Sequence, residues 1–142
     1  MAKELILISH GKLAEEAKKG IELIMGPQDN IQAVCMLPED GVSDFQKKFE
    51  DATADFSVDD IVVFADLMGG TPANTVSRLI KAGLNIKLYA GLNMAMIMEW
   101  LNCQMVDDRV PDYVKAGKDG VVDVNAFLNT DCLLYTSDAA DE

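Results

Sequence analysis

Histidine occurs once in this chain, at position 10, where the apolar run Leu5-Ile6-Leu7-Ile8 has ended in Ser9 and Gly11 follows. An imidazole is the side chain best suited to accept and release a proton or a phosphoryl group near neutral pH. A second block, Asp66-Leu67-Met68-Gly69-Gly70-Thr71-Pro72, follows another apolar run, Ile61-Val62-Val63-Phe64-Ala65. An aspartate beside an imidazole accepts the hydrogen of one ring nitrogen, which fixes the tautomer and leaves the other nitrogen nucleophilic. Paired glycines free backbone N–H groups to turn towards an anion, and a helix start adds partial positive charge. His10 and Asp66 as catalytic pair, with Gly69, Gly70 and Thr71 as phosphate cradle, are the equipment for a phosphohistidine. Each part also has a plainer use: a strand-end histidine as a structural residue, an aspartate as a turn cap, Gly-Gly-Thr-Pro as a connector. Only their placement on adjacent strand ends favours the chemistry.

The elements that must bring these loops together are read from periodicity. After the first strand, Leu13, Ala17, Ile21 and Ile24 share one helical face, and Gly26-Pro27 stops that helix. Ile31 to Met36 has strand length. Ser43-Asp44-Phe45-Gln46 has capping-box spacing, and Phe45, Phe49, Ala52 and Phe56 then recur at helical intervals. Ile61 to Ala65 is apolar throughout, as a central strand is. Thr71 is expected to cap a helix with Pro72 as its first residue, running to Ala82 and stopped by Gly83. Ala73, Val76, Leu79 and Ile80 would face inward on it. Ile86 to Ala90 reads as a fourth strand. Asn93 is placed to cap a helix from Met94 to about Met105 that is apolar almost all round, and a second copy of the chain is the expected cover. A short helix near Val110 to Ala116 and a late strand near Val121 to Val124 finish the pattern. Alternating strands and helices specify an α/β fold, a doubly wound and mainly parallel sheet with helices on both faces. With strand order 2-1-3-4, His10 and Asp66 stand side by side at the topological switch point, where ligands meet such sheets.

The remaining features bound the function. At 142 residues and 49% apolar, the chain suits one domain. Acids outnumber bases 24 to 12, a surface that repels nucleic-acid phosphates and anionic lipid. Glu4 interrupts the N-terminus too early for a signal peptide, so the cytoplasm is the expected location. Cys35, Cys103 and Cys132 form no CxxC pair and read as reduced thiols. With one histidine and no Cys/His cluster, no metal site is expected. The stretch from Thr130 to Glu142 holds four acids and no base, and from Cys132 onward it fits no element. It reads as an appended or read-through segment outside a domain of residues 1–129.

On these residues the chain resembles the IIA component of the mannose family of bacterial phosphoenolpyruvate-dependent sugar phosphotransferase systems. The matching blocks are Ile8-Ser9-His10-Gly11, Leu23-Ile24-Met25-Gly26, Asp66-Leu67-Met68-Gly69-Gly70-Thr71-Pro72 and Ala90-Gly91-Leu92-Asn93, over roughly Lys3 to Asn129. The resemblance implies a relay. His10 would take phosphate from the carrier HPr and pass it to a IIB component, which serves the membrane IIC and IID subunits that admit the sugar. Asp66 would hold the imidazole, and Thr71 with the backbone around Gly69 and Gly70 the phosphate oxygens. It further implies a homodimer whose late antiparallel edge strand can be exchanged between subunits, and a reaction without cofactor. Met68, where a well-known member carries tryptophan, and Ala95, where proline follows the Asn motif, depart from the pattern near the expected docking rim. Rival readings fit less well. The phosphotransfer subunit of dihydroxyacetone kinases carries an Asp-x-Gly-Ser-Ala-like loop in place of Gly69-Gly70-Thr71-Pro72. A response-regulator receiver needs an acidic pair at Ser9-His10, and a flavodoxin needs a hydroxyl-rich loop at His10-Gly11-Lys12-Leu13. A non-catalytic α/β anion-binding module would require His10 to be inert.

Overall fold

The two strands that end at the candidate residues are apolar on both faces because each is central. A computed structural model describes residues 3–106 and 108–130. Strands β1 (Glu4–His10), β2 (Ile31–Met36), β3 (Ile61–Ala65) and β4 (Lys87–Ala90) form one parallel sheet of order β2-β1-β3-β4. Helices α1 (Leu13–Met25), α2 (Val42–Thr53), α3 (Thr71–Lys81), α4 (Met94–Met105), α5 (Tyr113–Asp119) and α6 (Val124–Thr130) complete the described chain. Alternation along β1 and β3 divides the core. Leu5, Leu7, Val62 and Phe64 pack with Ala14 and Ile21 of α1 and with Ile97 and Trp100 of α4. Ile6, Ile8, Val63 and Ala65 pack with Phe45 and Phe49 of α2 and with Ala73 and Val76 of α3. The order 2-1-3-4 and the helices on both faces are as the sequence predicts.

Several local expectations are corrected. On α1 the buried stripe is Ala14 and Ile21 with Ala17 beside them, while Leu13 and Ile24 are 53% and 63% exposed. At about 100° per residue both lie roughly 60–80° round from Ile21, on the margin of the stripe. Helix α2 begins before Ser43: Gly41 is its N-cap, and the Asp44 carboxylate accepts the Gly41 N–H at 2.8 Å. Helix α3 is likewise capped by Gly70, not Thr71, which is the first helical residue with Pro72 second. Its far end closes as expected, with the Gly83 N–H on the Ile80 carbonyl and the Leu84 N–H on the Leu79 carbonyl. Asn93 caps α4 as expected, its Oδ1 accepting the Met96 N–H at 3.0 Å.

The cover over α4 comes from the same chain. Helix α5 starts later than expected, its N-terminus capped by Asp112, whose Oδ1 accepts the Lys115 N–H at 3.0 Å. It lies against α4 where Gly117 and Gly120 leave room; a Cβ at 117 would stand 2.7 Å from Met96 Cγ, and one at 120 would collide with Ala95. Glu99 on α4 draws the connection down: its Oε1 takes Arg109 Nη2 at 2.6 Å and its Oε2 the Asp112 N–H at 3.1 Å. Ala95 therefore faces α5. The late strand is not formed either. Residues 121–123 are irregular, and the Asp123 carboxylate accepts the Ala126 N–H at 3.1 Å, starting α6 where a strand was expected. Cys35 and Cys103 are free thiols, as expected. Cys132 and the suspected appended tail lie outside the described residues. No helix among the described residues is long and apolar enough to cross a membrane.

Candidate active site

Parallel pairing of β1 with β3 sets Ile8 opposite Ala65, so the residues just beyond come together. The Asp66 N–H continues the ladder onto the Ile8 carbonyl at 3.1 Å. Asp66 then turns back onto the strand end. Its Oδ2 accepts the His10 main-chain N–H at 2.9 Å and lies 2.8 Å from His10 Nδ1, while its Oδ1 accepts the Leu67 N–H at 2.9 Å. The carboxylate side chain is 7% exposed, the imidazole 47%. Burial alone would push the Asp66 carboxyl up. The hydrogen bonds from the His10 N–H, the His10 ring and the Leu67 N–H outweigh it, and the group is held below the usual carboxylate range. An ionised carboxylate only accepts, so Nδ1 carries the ring hydrogen and Nε2 keeps its lone pair. The sequence leaves open which ring nitrogen faces the carboxylate; the geometry sets it as Nδ1.

Gly69 and Gly70 do different jobs. Gly69 has φ +90°, a left-handed conformation that favours glycine. Gly70 has an ordinary φ of −93°, and its need is space. A Cβ there would collide with His10 Cε1 and stand 3.0 Å from Nε2. The loop thus presses glycine backbone against the ring and runs directly into the N-terminus of α3 at Thr71. Arg78 and Lys81 sit at the opposite, negative end of that helix. His10, Asp66, Gly69, Gly70 and Thr71 are accordingly gathered at one edge of the sheet.

Two polar residues that the sequence reading did not single out hold this edge. Asn74 Nδ2 donates to the Gly69 carbonyl at 3.3 Å. Ser9, fully buried, ties the turn behind His10 through bonds to Gly11 and Ala14. A hydroxyl in an otherwise apolar strand was the signal for Ser9; nothing in the sequence pointed to Asn74. Exposed apolar side chains follow each of the two loops in sequence, Leu13 at the start of α1 and Leu67 and Met68 beyond Asp66, Met68 most exposed at 86%. A half-exposed imidazole at a sheet edge is placed to meet a macromolecular partner rather than a small molecule enclosed in a pocket.

The family model described as "PTS system fructose IIA component", PTS being phosphotransferase system, matches residues 4–116. The chain belongs to this family. The matched span holds both candidate loops and ends inside α5. Among curated relatives, the mannose-specific EIIAB component of Escherichia coli is 27% identical over 126 residues, covering 85% of this chain and 39% of that protein. The chain thus spans about two fifths of that relative's length. The fructose-specific EIIA component of Bacillus subtilis is 28% identical over 99 residues, 69% of this chain and 68% of that one. Among solved structures, a mannose/sorbose specific IIA subunit from Enterococcus faecalis superposes with TM-score 0.73 at 30% identity, covering 86% of this chain and 94% of that one. A phosphotransferase EIIA component from Streptococcus agalactiae gives 0.74 at 27%, covering 87% and 98%. The family suggested by the four sequence blocks is therefore borne out, and the kinase-subunit and binding-module readings are not favoured.

Proposed function

We propose that this IIA chain is a phosphoryl relay: His10 accepts phosphate from phosphorylated HPr and passes it to a IIB component for sugar uptake. The observation that carries the reading is the Asp66 carboxylate 2.8 Å from Nδ1, which leaves Nε2 as the exposed nucleophile. In the forward step Nε2 attacks phosphorus in line as the donor histidine's N–P bond breaks and the donor nitrogen regains its lone pair. The phosphorylated ring keeps its Nδ1 hydrogen, and Asp66 offsets the positive charge that builds on it. The Gly69-Gly70-Thr71 backbone and the N-terminus of α3 are placed to receive the phosphoryl oxygens. Onward transfer to IIB repeats the displacement with His10 as leaving group. Histidine-to-histidine exchange is close to thermoneutral, so the protein's task is alignment and charge screening, with no cofactor.

The same reading makes the domain residues 1–129, the location cytoplasmic and the assembly a homodimer. Support for the dimer lies at the sheet's outer edge. Strand β4 has no neighbour on its far side among the described residues. A cavity of about 250 Å³ opens beside it between Asp59, Lys87, Tyr89 and Tyr113. Val121, Val122 and Val124 stand exposed in the segment where an exchanged strand was expected. The relay is tested by intact mass after incubation with phosphoenolpyruvate, enzyme I and HPr, beside a His10→Ala control. One acid-labile phosphoryl group on the parent and none on the control is the expected result. A phosphorylated control, or a folded parent that takes no phosphate, would overturn it.

A further inference from the structure

Helix α1 begins without a conventional cap. Lys12 occupies the N-cap position with φ −88° and ψ 12° and offers no side-chain cap bond. The N–H of Ala14 is instead taken by Ser9 Oγ at 2.8 Å, from the strand that precedes the helix. The same hydroxyl gives its own hydrogen to the Gly11 carbonyl at 3.1 Å. Gly11 is also held from its other side, its N–H on the Met36 carbonyl of β2 at 2.7 Å. The turn immediately after His10 is therefore fixed at three points, two of them on Ser9.

His10 lies between this turn and its own N–H, which is fixed on Asp66. Side chains alternate along β1, so the Ser9 hydroxyl works on the α1 face while the imidazole faces Gly70 on the α3 face. The ring must satisfy two contacts at once, the bond to Asp66 and the close approach to Gly70, and both depend on the backbone direction at residue 10. We infer that Ser9 is a positioning residue for phosphoryl transfer, holding the His10 backbone from behind. It touches neither the ring nor the phosphoryl group. The inference rests on the relay reading and adds to it a residue without which the nucleophile is present but misaimed. A hydroxyl serving only as a helix cap would affect stability and leave transfer by the folded protein unchanged.

The test compares Ser9→Ala, Ser9→Thr and Ser9→Cys in the full chain by two readouts. One is single-turnover phosphorylation by phosphorylated HPr across donor concentrations. The other is hydrogen exchange of the His10 Nδ1–H, followed by NMR in the unphosphorylated protein. Misalignment of a nucleophile acts on the maximal rate, so Ser9→Ala is expected to lower it about tenfold while the half-saturating donor concentration changes less than about twofold. Its Nδ1–H should exchange several-fold faster, and Ser9→Thr should restore both values. A folded Ser9→Ala that transfers at the parent rate with unchanged ring exchange would reduce Ser9 to a helix cap. Should Ser9→Ala not fold, Ser9→Cys, which keeps the volume with a weaker acceptor, carries the same criteria. A parent that takes no phosphate would defeat the relay, and the ring-exchange comparison would still decide whether Ser9 holds the imidazole.

Discussion

Replacing Asp66 with asparagine keeps the shape of the side chain and removes its charge, which isolates the carboxylate's part in the site. Both oxygens accept: Oδ2 from the His10 N–H and ring, Oδ1 from the Leu67 N–H. An amide has one accepting oxygen. Turned towards His10, it sets its NH₂ against the Leu67 N–H. Turned towards Leu67, it sets the NH₂ against His10 and drives the ring hydrogen from Nδ1 to Nε2, which removes the nucleophile. In either state at least one hydrogen bond to a charged acceptor is lost, worth roughly 1.5–3 kcal/mol. At about 1.4 kcal/mol per factor of ten, the transfer rate should fall on the order of 10- to 150-fold. Rapid-quench phosphorylation by HPr, read by intact mass, measures this directly, and a rate within about threefold of the parent would refute a part for the carboxylate's charge in the transfer. Stability supplies an independent check of sign. The Asp66 carboxyl lies lower in the folded chain than unfolded, so its contribution is fully present above the ordinary carboxylate range and is lost as pH falls through the folded value. The stability gap between parent and Asp66→Asn should therefore narrow on acidification.

Gly70→Ala should fold, since its φ of −93° suits alanine, but the added methyl collides with His10 Cε1. Phosphoryl acceptance should drop by roughly two orders of magnitude, the cost of about 1 Å of misplacement, and near-parent labelling in a time course would show that the ring does not rest on this glycine. Glu99→Gln unpairs Arg109 and sets an amide in a mostly buried site; about 2 kcal/mol of stability should be lost in urea melts, less than for a fully buried pair because Arg109 is part-exposed. Transfer by the folded variant should be unaffected, and an unshifted urea midpoint would show that the Glu99–Arg109 pair does not stabilise the fold. Glu4 is held up by burial and by Asp60, and its Oε2 has no partner. The folded state thus binds its proton more tightly than the unfolded chain does, and this raised group's contribution is lost as pH rises through the folded value. Glu4→Gln should raise the melting temperature at pH 7, with the gain vanishing below the carboxylate range; a gain that persisted in acid would refute the titration.

How much of this could be read from the sequence depended on how many neighbours each residue had to satisfy. Strands β1 and β3 were legible because both faces are buried and every position is apolar. Asn93 was legible because capping is local. The stripe on α1 was misjudged because Leu13 and Ile24 are as apolar as the residues actually buried, and hydrophobicity cannot rank positions within one broad face. The cover on α4 was missed because Gly117 and Gly120 act by being small, which leaves no periodic signal. The late segment reads as a strand by its valines, yet the Asp123 cap starts a helix there in a single chain. Of the site, His10, Asp66 and the glycine pair were visible as residue types at strand ends. That Gly70 also makes room for the imidazole was not, since such a contact exists only once β1 and β3 are in register.

That register is where folding and chemistry meet. A one-residue slip in a strand turns every side chain to the opposite face. Where only one face is buried, the hydrophobic pattern forbids this. In β1 the residues from Leu5 to Ile8 are fully buried on both faces, and a slipped strand would still present leucine and isoleucine to each layer. The slip is resisted at the polar end. Shifted by one, Ser9 would lose the Ala14 N–H on the α1 face, and His10 would leave Asp66 and Gly70 to enter the layer beneath α1. Burying an unpartnered imidazole and orphaning a buried N–H together cost roughly 2–6 kcal/mol. Ser9 and His10, the positioning residue and the proposed nucleophile, are thus also the two residues that specify which way the central strand faces, so the site is assembled by the same interactions that select the fold.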